Sequence, residues 1–157
     1  MKTVLVQIGK TDKEYLRKGI DDFTSRIKKI IPYEIHTLAD LKNRKTLTMA
    51  EQINEEAHRF NKFFKPGDCI ILLDERGRSL SSVAFSEFLS GAFNKSYKRL
   101  LFVIGGPYGF NELMYGRADY RISLSSMTFS HQLVRLLFAE QMYRALSIIK
   151  AYPYHNE

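Results

Sequence analysis

The sequence holds a single cysteine, Cys69, which excludes an intrachain disulfide framework and a cysteine-based zinc site. Cys69 lies in an apolar run, so it reads as an inert buried thiol in a reducing compartment. No apolar run approaches the ~18 residues of a membrane span, and the N-terminal MKTVLVQIGK is too short in its apolar part for a secretory leader. A cytoplasmic protein is expected. The four histidines have no metal-ligand spacing, so no metal site is expected. No repeat, low-complexity segment or linker interrupts the 157 residues, which predicts one domain over 1–157. Acidic residues are the minority: 17 Asp and Glu stand against 24 Lys and Arg, a net charge of +7. The excess is spread over both halves. It is compatible with a nucleic-acid partner and equally with a solvated basic surface.

What is present is alternation. Lys2–Ile8 is β-rich, and Asp12–Ile30 carries Tyr15, Leu16, Ile20, Phe23 and Ile27 at helical spacing before Pro32. Tyr33–Leu38 reads as a second strand, followed by a helix with Ile53, Ala57, Phe60 and Phe64 and stopped by Pro66-Gly67. Cys69–Leu73 and Leu100–Ile104 are continuous apolar runs, as expected of parallel strands covered on both faces. Between them Ser81 or Ser82 can cap a helix bearing Phe85, Phe88, Leu89 and Phe93. A short strand at Arg121–Leu124 and a long helix at His131–Ala151 complete the order. The pattern predicts an α/β fold with a mainly parallel sheet and helices on both faces.

In such sheets ligands sit beyond the carboxyl ends of the strands. The segments expected there are Asp74–Arg78, Gly105–Gly109 and Ser125–Phe129. Gly105-Gly106-Pro107-Tyr108-Gly109 could let a ligand reach the backbone, although it is neither a GxGxxG fingerprint nor a P-loop. Ser125 and Ser126 lack a nucleophile elbow and read as caps of the last helix. That helix presents Val134, Phe138, Ala139, Met142, Ala145, Leu146 and Ile149 to the sheet, interrupted by Arg135. Its other face mixes Glu140, Gln141, Arg144 and Lys150 with Leu133, Leu136, Leu137, Tyr143 and Ile148. That is too apolar for a solvated face, and a homodimer contact through Leu136 or Leu137 is expected. Glu140 and Arg144, at i and i+4, suit an ion pair.

The order LLDERG (72–77), FVIGGPYG (102–109), ISLSSMTFSHQLVRLLFAEQMYRA (122–145) and a terminal PYH (153–155) resembles the RlmH family of SPOUT methyltransferases. The resemblance spans essentially the whole chain and is most specific in the last 60 residues. It implies a single SPOUT methyltransferase domain with a C-terminal trefoil knot, working as a homodimer. The implied reaction is methylation of N3 of a pseudouridine in 23S rRNA, on the assembled ribosome, with S-adenosylmethionine as donor. It assigns donor contacts to Leu73, Gly105, Leu124, Ser125, Ser126, Met127, Thr128 and Phe129. It assigns the substrate site to Arg144, Tyr154 and His155, with Glu140 and His131 in second rank.

N3 of the base becomes a nucleophile on losing its proton, so a base or a polarising group must stand beside it. His155 is the preferred base, because an imidazole can be neutral near pH 7. Arg144 cannot lose its proton and is expected to stabilise the developing anion or grip phosphate. Tyr154 offers a surface on which a base can stack. Two other readings are a SPOUT methyltransferase acting on tRNA and a non-catalytic RNA-binding dimer.

Overall fold

The computed structural model describes residues 1–156; Glu157, the last residue of the expected tail, lies outside the described residues. Five strands form one all-parallel sheet in the order β2-β1-β4-β3-β5. They are β1 (Lys2–Ile8), β2 (Tyr33–Leu38), β3 (Asp68–Ser79), β4 (Arg99–Ile104) and β5 (Tyr120–Ser123). The helices are α1 (Glu14–Lys28), α2 (Met49–Phe63), α3 (Ser82–Phe93), α4 (Glu112–Arg117) and α5 (Leu133–Ile149), with a 3-10 turn at Arg44–Thr46.

Both faces of the sheet are covered, which is why β3 and β4 read as unbroken apolar runs. On one face Leu5, Ile71, Leu100 and Phe102 pack with residues of α1, α3 and α5. On the other Val4, Val6, Ile70, Leu101 and Val103 pack with Ala57 and Phe60 of α2 and Met114 of α4. Phe102 and Phe138 meet at a ring separation of 4.9 Å, fixing α5 over the sheet centre. Cys69 is fully buried and its thiol is pushed up to about 11, chiefly by burial, so it is inert.

Two expectations are corrected, and two side chains of α5 make contacts that the sequence does not show. β3 does not stop at Leu73 but runs to Ser79, with a register shift between Leu73 and Arg78 against β5. Gly77 makes this possible: a Cβ there would lie 2.6 Å from the Ile122 backbone nitrogen. Ser125 and Ser126 do not cap the last helix. Ser130 Oγ accepts the Leu133 N–H at 3.2 Å instead, while Ser125 Oγ accepts the Met127 N–H at 3.0 Å in a local turn. Leu136 stays half-buried, like Leu137, and part of its side chain packs over Gly19 of α1, its Cδ1 2.8 Å from where a glycine Cβ would stand. Arg135, expected only as an interruption of the stripe, is 1% exposed and bonded through both terminal nitrogens, while its Nε has no partner. It donates to the Ile8 and Gly9 carbonyls at 2.7 and 2.9 Å and to Thr11 Oγ1 at 2.9 Å. A buried cation is tolerated where the carboxyl end of a strand supplies acceptors in this way.

Candidate functional site

At the carboxyl ends of β3, β4 and β5 the chain encloses a cavity of about 440 Å³, within the range of small-molecule sites. Leu73 and Ile104 form its floor as the last apolar residues of two strands, and the Gly105–Gly109 loop forms one wall. That loop closes on itself through the Gly109 N–H to the Gly106 carbonyl at 3.2 Å, with Gly109 at φ 79°, a conformation side-chain-bearing residues avoid. Gly105 is tightly placed: a Cβ would meet the Phe110 ring at 3.1 Å and the Gly109 carbonyl oxygen at 3.2 Å.

The opposite wall is the segment between β5 and α5. Leu124, Ser125, Met127, Thr128 and Phe129 line the cavity with His131 and Val134; Ser126 does not. Thr128 Oγ1 donates to Glu75 Oε2 at 3.1 Å, and Ser123 Oγ donates to the Ser125 carbonyl at 2.8 Å. Apolar walls with a few fixed polar groups and exposed loop backbone suit a ligand that has both a flat ring and polar edges. His131 is held below the usual imidazole range, first by burial and then by the nearby Arg135 and Arg44 cations, so it is neutral near pH 7.

Phe110 and Tyr115 line the wall without having been named in the sequence, and Ile53, read there only as a core position of α2, reaches it as well. Tyr115 donates to Asp74 Oδ2 at 2.7 Å; burial and that carboxylate push its phenol up to about 12. It sits on α4, whose start was legible in principle, since Asn111 Oδ1 caps the Met114 N–H at 3.1 Å.

The second group of expected residues is brought together, but apart from the cavity. After α5, Ala151 at φ 56° reverses the chain, and the Tyr152 N–H bonds the Ser147 carbonyl at 2.8 Å. The tail therefore folds back on the helix rather than fraying. Arg144 donates through Nε to Glu140 Oε1 at 3.0 Å, and the Tyr154 hydroxyl donates to the same oxygen at 3.2 Å. Tyr154 packs edge-on to Tyr143 at 4.8 Å, with the Arg144 guanidinium 4.9 Å from its ring centre. Burial, with the Glu140 charge second, raises the Tyr154 phenol, so it acts as a neutral donor. Arg144 Nη1 lies 3.3 Å from His155 Nδ1. A guanidinium only donates, so Nδ1 accepts and a neutral ring carries its proton on Nε2. Ten residues of helix separate Val134 in the cavity from Arg144, a rise of about 15 Å.

Among the described residues no cluster of His, Cys, Asp and Glu suits a metal ion, and no helix is long and apolar enough to cross a membrane.

Residues 1–155 match the sequence family described as "Predicted SPOUT methyltransferase". Curated relatives match over full length. "Ribosomal RNA large subunit methyltransferase H" of Parabacteroides distasonis is 46% identical over 157 residues, covering all of both chains. The protein of that name from Flavobacterium psychrophilum is 46% identical over the same span, and that from Christiangramia forsetii 47% over 99% of each chain. An all-parallel sheet with a cavity at its carboxyl edge, together with a match this long, settles the family: the chain belongs to the SPOUT methyltransferases.

Proposed function

We propose that the chain methylates N3 of a pseudouridine in 23S rRNA of the assembled ribosome, in the cytoplasm, with S-adenosylmethionine as donor. The observation that carries this reading is the cavity between the Gly105–Gly109 loop and Leu124–Phe129. The place of a Gly105 side chain is already crowded by the Phe110 ring and the Gly109 carbonyl oxygen, so glycine suits the shape of this loop, and its backbone forms the wall that the donor would approach. Leu73, Gly105, Leu124, Ser125, Met127, Thr128 and Phe129 would hold the donor, and Ser126, carried with them by the resemblance, stands beside the turn that Ser125 closes onto Met127. When bound, the donor supplies an electrophilic methyl group on a sulfonium.

The chain's own residues supply the rest. Glu140 holds Arg144 and Tyr154 in one cluster. At rest the Arg144 guanidinium covers His155 Nδ1. An arriving phosphate or developing base anion competes for the guanidinium, and as Arg144 turns to it, Nδ1 is uncovered to take the N3 proton. Arg144 then stabilises the anion, and Tyr154 supports the base.

This cluster and the cavity lie about 15 Å apart along α5. Two copies with α5 helices packed antiparallel about a two-fold axis would bring the Arg144–His155 cluster of one copy to the cavity of the other. The half-buried Leu133, Leu137 and Ile148 offer the apolar surface for that contact. Because Leu136 also packs over Gly19 of α1, Leu137→Glu is the cleaner variant. Wild type is expected to sediment as a dimer at micromolar concentration and Leu137→Glu as a folded monomer. A monomeric wild type removes the shared site.

The assignment of substrate is tested by labelled-methyl transfer to whole ribosomes, free 23S rRNA and tRNA in parallel. Incorporation is expected into ribosomes. Incorporation only into tRNA overturns the reading, and donor binding without any incorporation would leave a silent RNA-binding dimer.

A further inference from the structure

One buried carboxylate has no part in this scheme. Glu56 on α2 is 1% exposed, and neither of its oxygens has a hydrogen-bond partner. It lies against the back of the Gly105–Gly109 loop: a Cβ at Gly106 would stand 2.0 Å from Glu56 Oε2 and 2.6 Å from Oε1. Gly106 is thus a glycine because the Glu56 carboxyl occupies the place of its side chain. Ile53, one turn earlier on the same helix, reaches the cavity itself, so α2 runs directly beneath the loop wall.

The charged groups around Glu56 do not neutralise it. Arg44 Nη2 is 3.7 Å from Oε2, beyond hydrogen-bond reach, and Arg44 is already bound to Asp40 and, at 3.0 Å, to Gln52 Oε1. Asp40 adds a like charge, and His131 faces the same Arg44 and Asp40 from the start of α5. The loop itself contributes no ionisable side chain except Tyr108. Burial is the largest influence; Arg44 opposes it, Asp40 adds to it, and the carboxyl is pushed up to about 7.

We propose that Glu56 is a positioning residue for the donor loop: protonated, it seats Gly105 and Gly106 in the donor-accepting shape, and on losing its proton it withdraws that seat. The inference rests on the donor-site reading above. A neutral carboxyl carries no charge to solvate and can lie against the loop backbone at little cost. The anion has no donor, and its two bare oxygens demand water or Arg44, both of which draw it away from the loop. The methyl donor would then bind best below neutrality, and the loop would loosen as pH rises.

Two measurements on the full chain test this. The first needs no ligand: amide hydrogen exchange at Gly105, Gly106 and Tyr108 from pH 6 to 8.5, corrected for intrinsic rates. Wild type is expected to show increased loop opening through about pH 7, and Glu56→Gln, whose amide mimics the protonated acid, is expected to stay closed. The second is calorimetric binding of S-adenosylmethionine and S-adenosylhomocysteine over the same range. Wild-type affinity for both should fall by up to ~10-fold per pH unit above about pH 7, with Glu56→Gln lacking that fall and Glu56→Ala weak throughout. His131 remains in all three proteins, so any pH dependence left in Glu56→Gln belongs to it or to the ligand.

Loop exchange without a pH-dependent excess in wild type, or with the same excess in Glu56→Gln, overturns the proposal whatever the ligands do. Affinity that rises with pH for S-adenosylmethionine alone also overturns it, since the anion would then be attracting the sulfonium. Loop opening as expected with no binding of either ligand upholds the seat and overturns the donor-site reading instead.

Discussion

A His155→Ala enzyme is expected to bind S-adenosylmethionine within a few-fold of wild type and to methylate ribosomes ~10²–10⁴-fold more slowly in single-turnover assays, the usual worth of a general base. The separation of effects follows from distance. His155 contacts Arg144 near the end of α5, while the donor cavity is built around the start of that helix. Losing the imidazole removes no cavity wall within the chain, so donor affinity reports on the cavity and turnover reports on the cluster. Deleting residues 152–157 should reproduce the loss and add the removal of Tyr154 from Glu140 and Tyr143. Folding should survive the deletion, because Tyr152 is exposed and the tail lies on the outer side of α5. Turnover within a few-fold of wild type in His155→Ala dismisses His155 as the base. A truncation that also loses the donor means that the tail closes the cavity of a second copy.

Gly105→Val is expected to act in the opposite way, weakening the donor by roughly 10- to 100-fold while leaving the Arg144–His155 cluster intact. The first added carbon already meets the Phe110 ring and the Gly109 carbonyl at 3.1–3.2 Å, so two further methyl groups force the loop or the ring into the cavity. Overpacking of this kind costs roughly 1–3 kcal/mol, which gives the stated loss when it is charged to the bound state. Gly105→Ala, with a single tight contact, should fall between. Calorimetry on folded Gly105→Val showing wild-type affinity would remove the donor from this loop.

The elements with a period were legible before the fold was seen. β1 and β2 announce themselves as short β-rich runs, β4 as an apolar one, and α2 and α3 as helical stripes, because burial on one or both faces writes directly into composition. The carboxyl-edge cavity followed from the alternation alone. What escaped were features decided by contact across the fold. The extension of β3 past Leu73 depends on Gly77 lying against β5, and a polar DERGR segment gives no sign of it. Ser125 looks like a cap until Ser130 is seen to do that work. Leu136 and Leu137 are neighbours in one apolar stretch, yet only the packing of Gly19 assigns the first to α1. Glu56 reads as one more polar position on a helix; its burial against Gly106 belongs to a loop fifty residues later. The substrate residues were named through family resemblance, since an arginine, a tyrosine and a histidine near a terminus carry no spacing rule. The trefoil knot is inherited from the resemblance in the same way, because rules of chain topology weigh against knots.

Arg135 sets a condition on the order of synthesis. It caps the Ile8 and Gly9 carbonyls from 126 or 127 residues away in sequence. At ~5–20 residues per second, the amino-terminal strand waits on the order of 6–25 s for that guanidinium to be made. Until then those carbonyls lack the Arg135 guanidinium, and α1 lacks the helix whose Leu136 packs over Gly19. A nascent chain stalled before α5 should therefore remain open to protease along its first thirty residues, and the protein would close as a unit when its last helix is released.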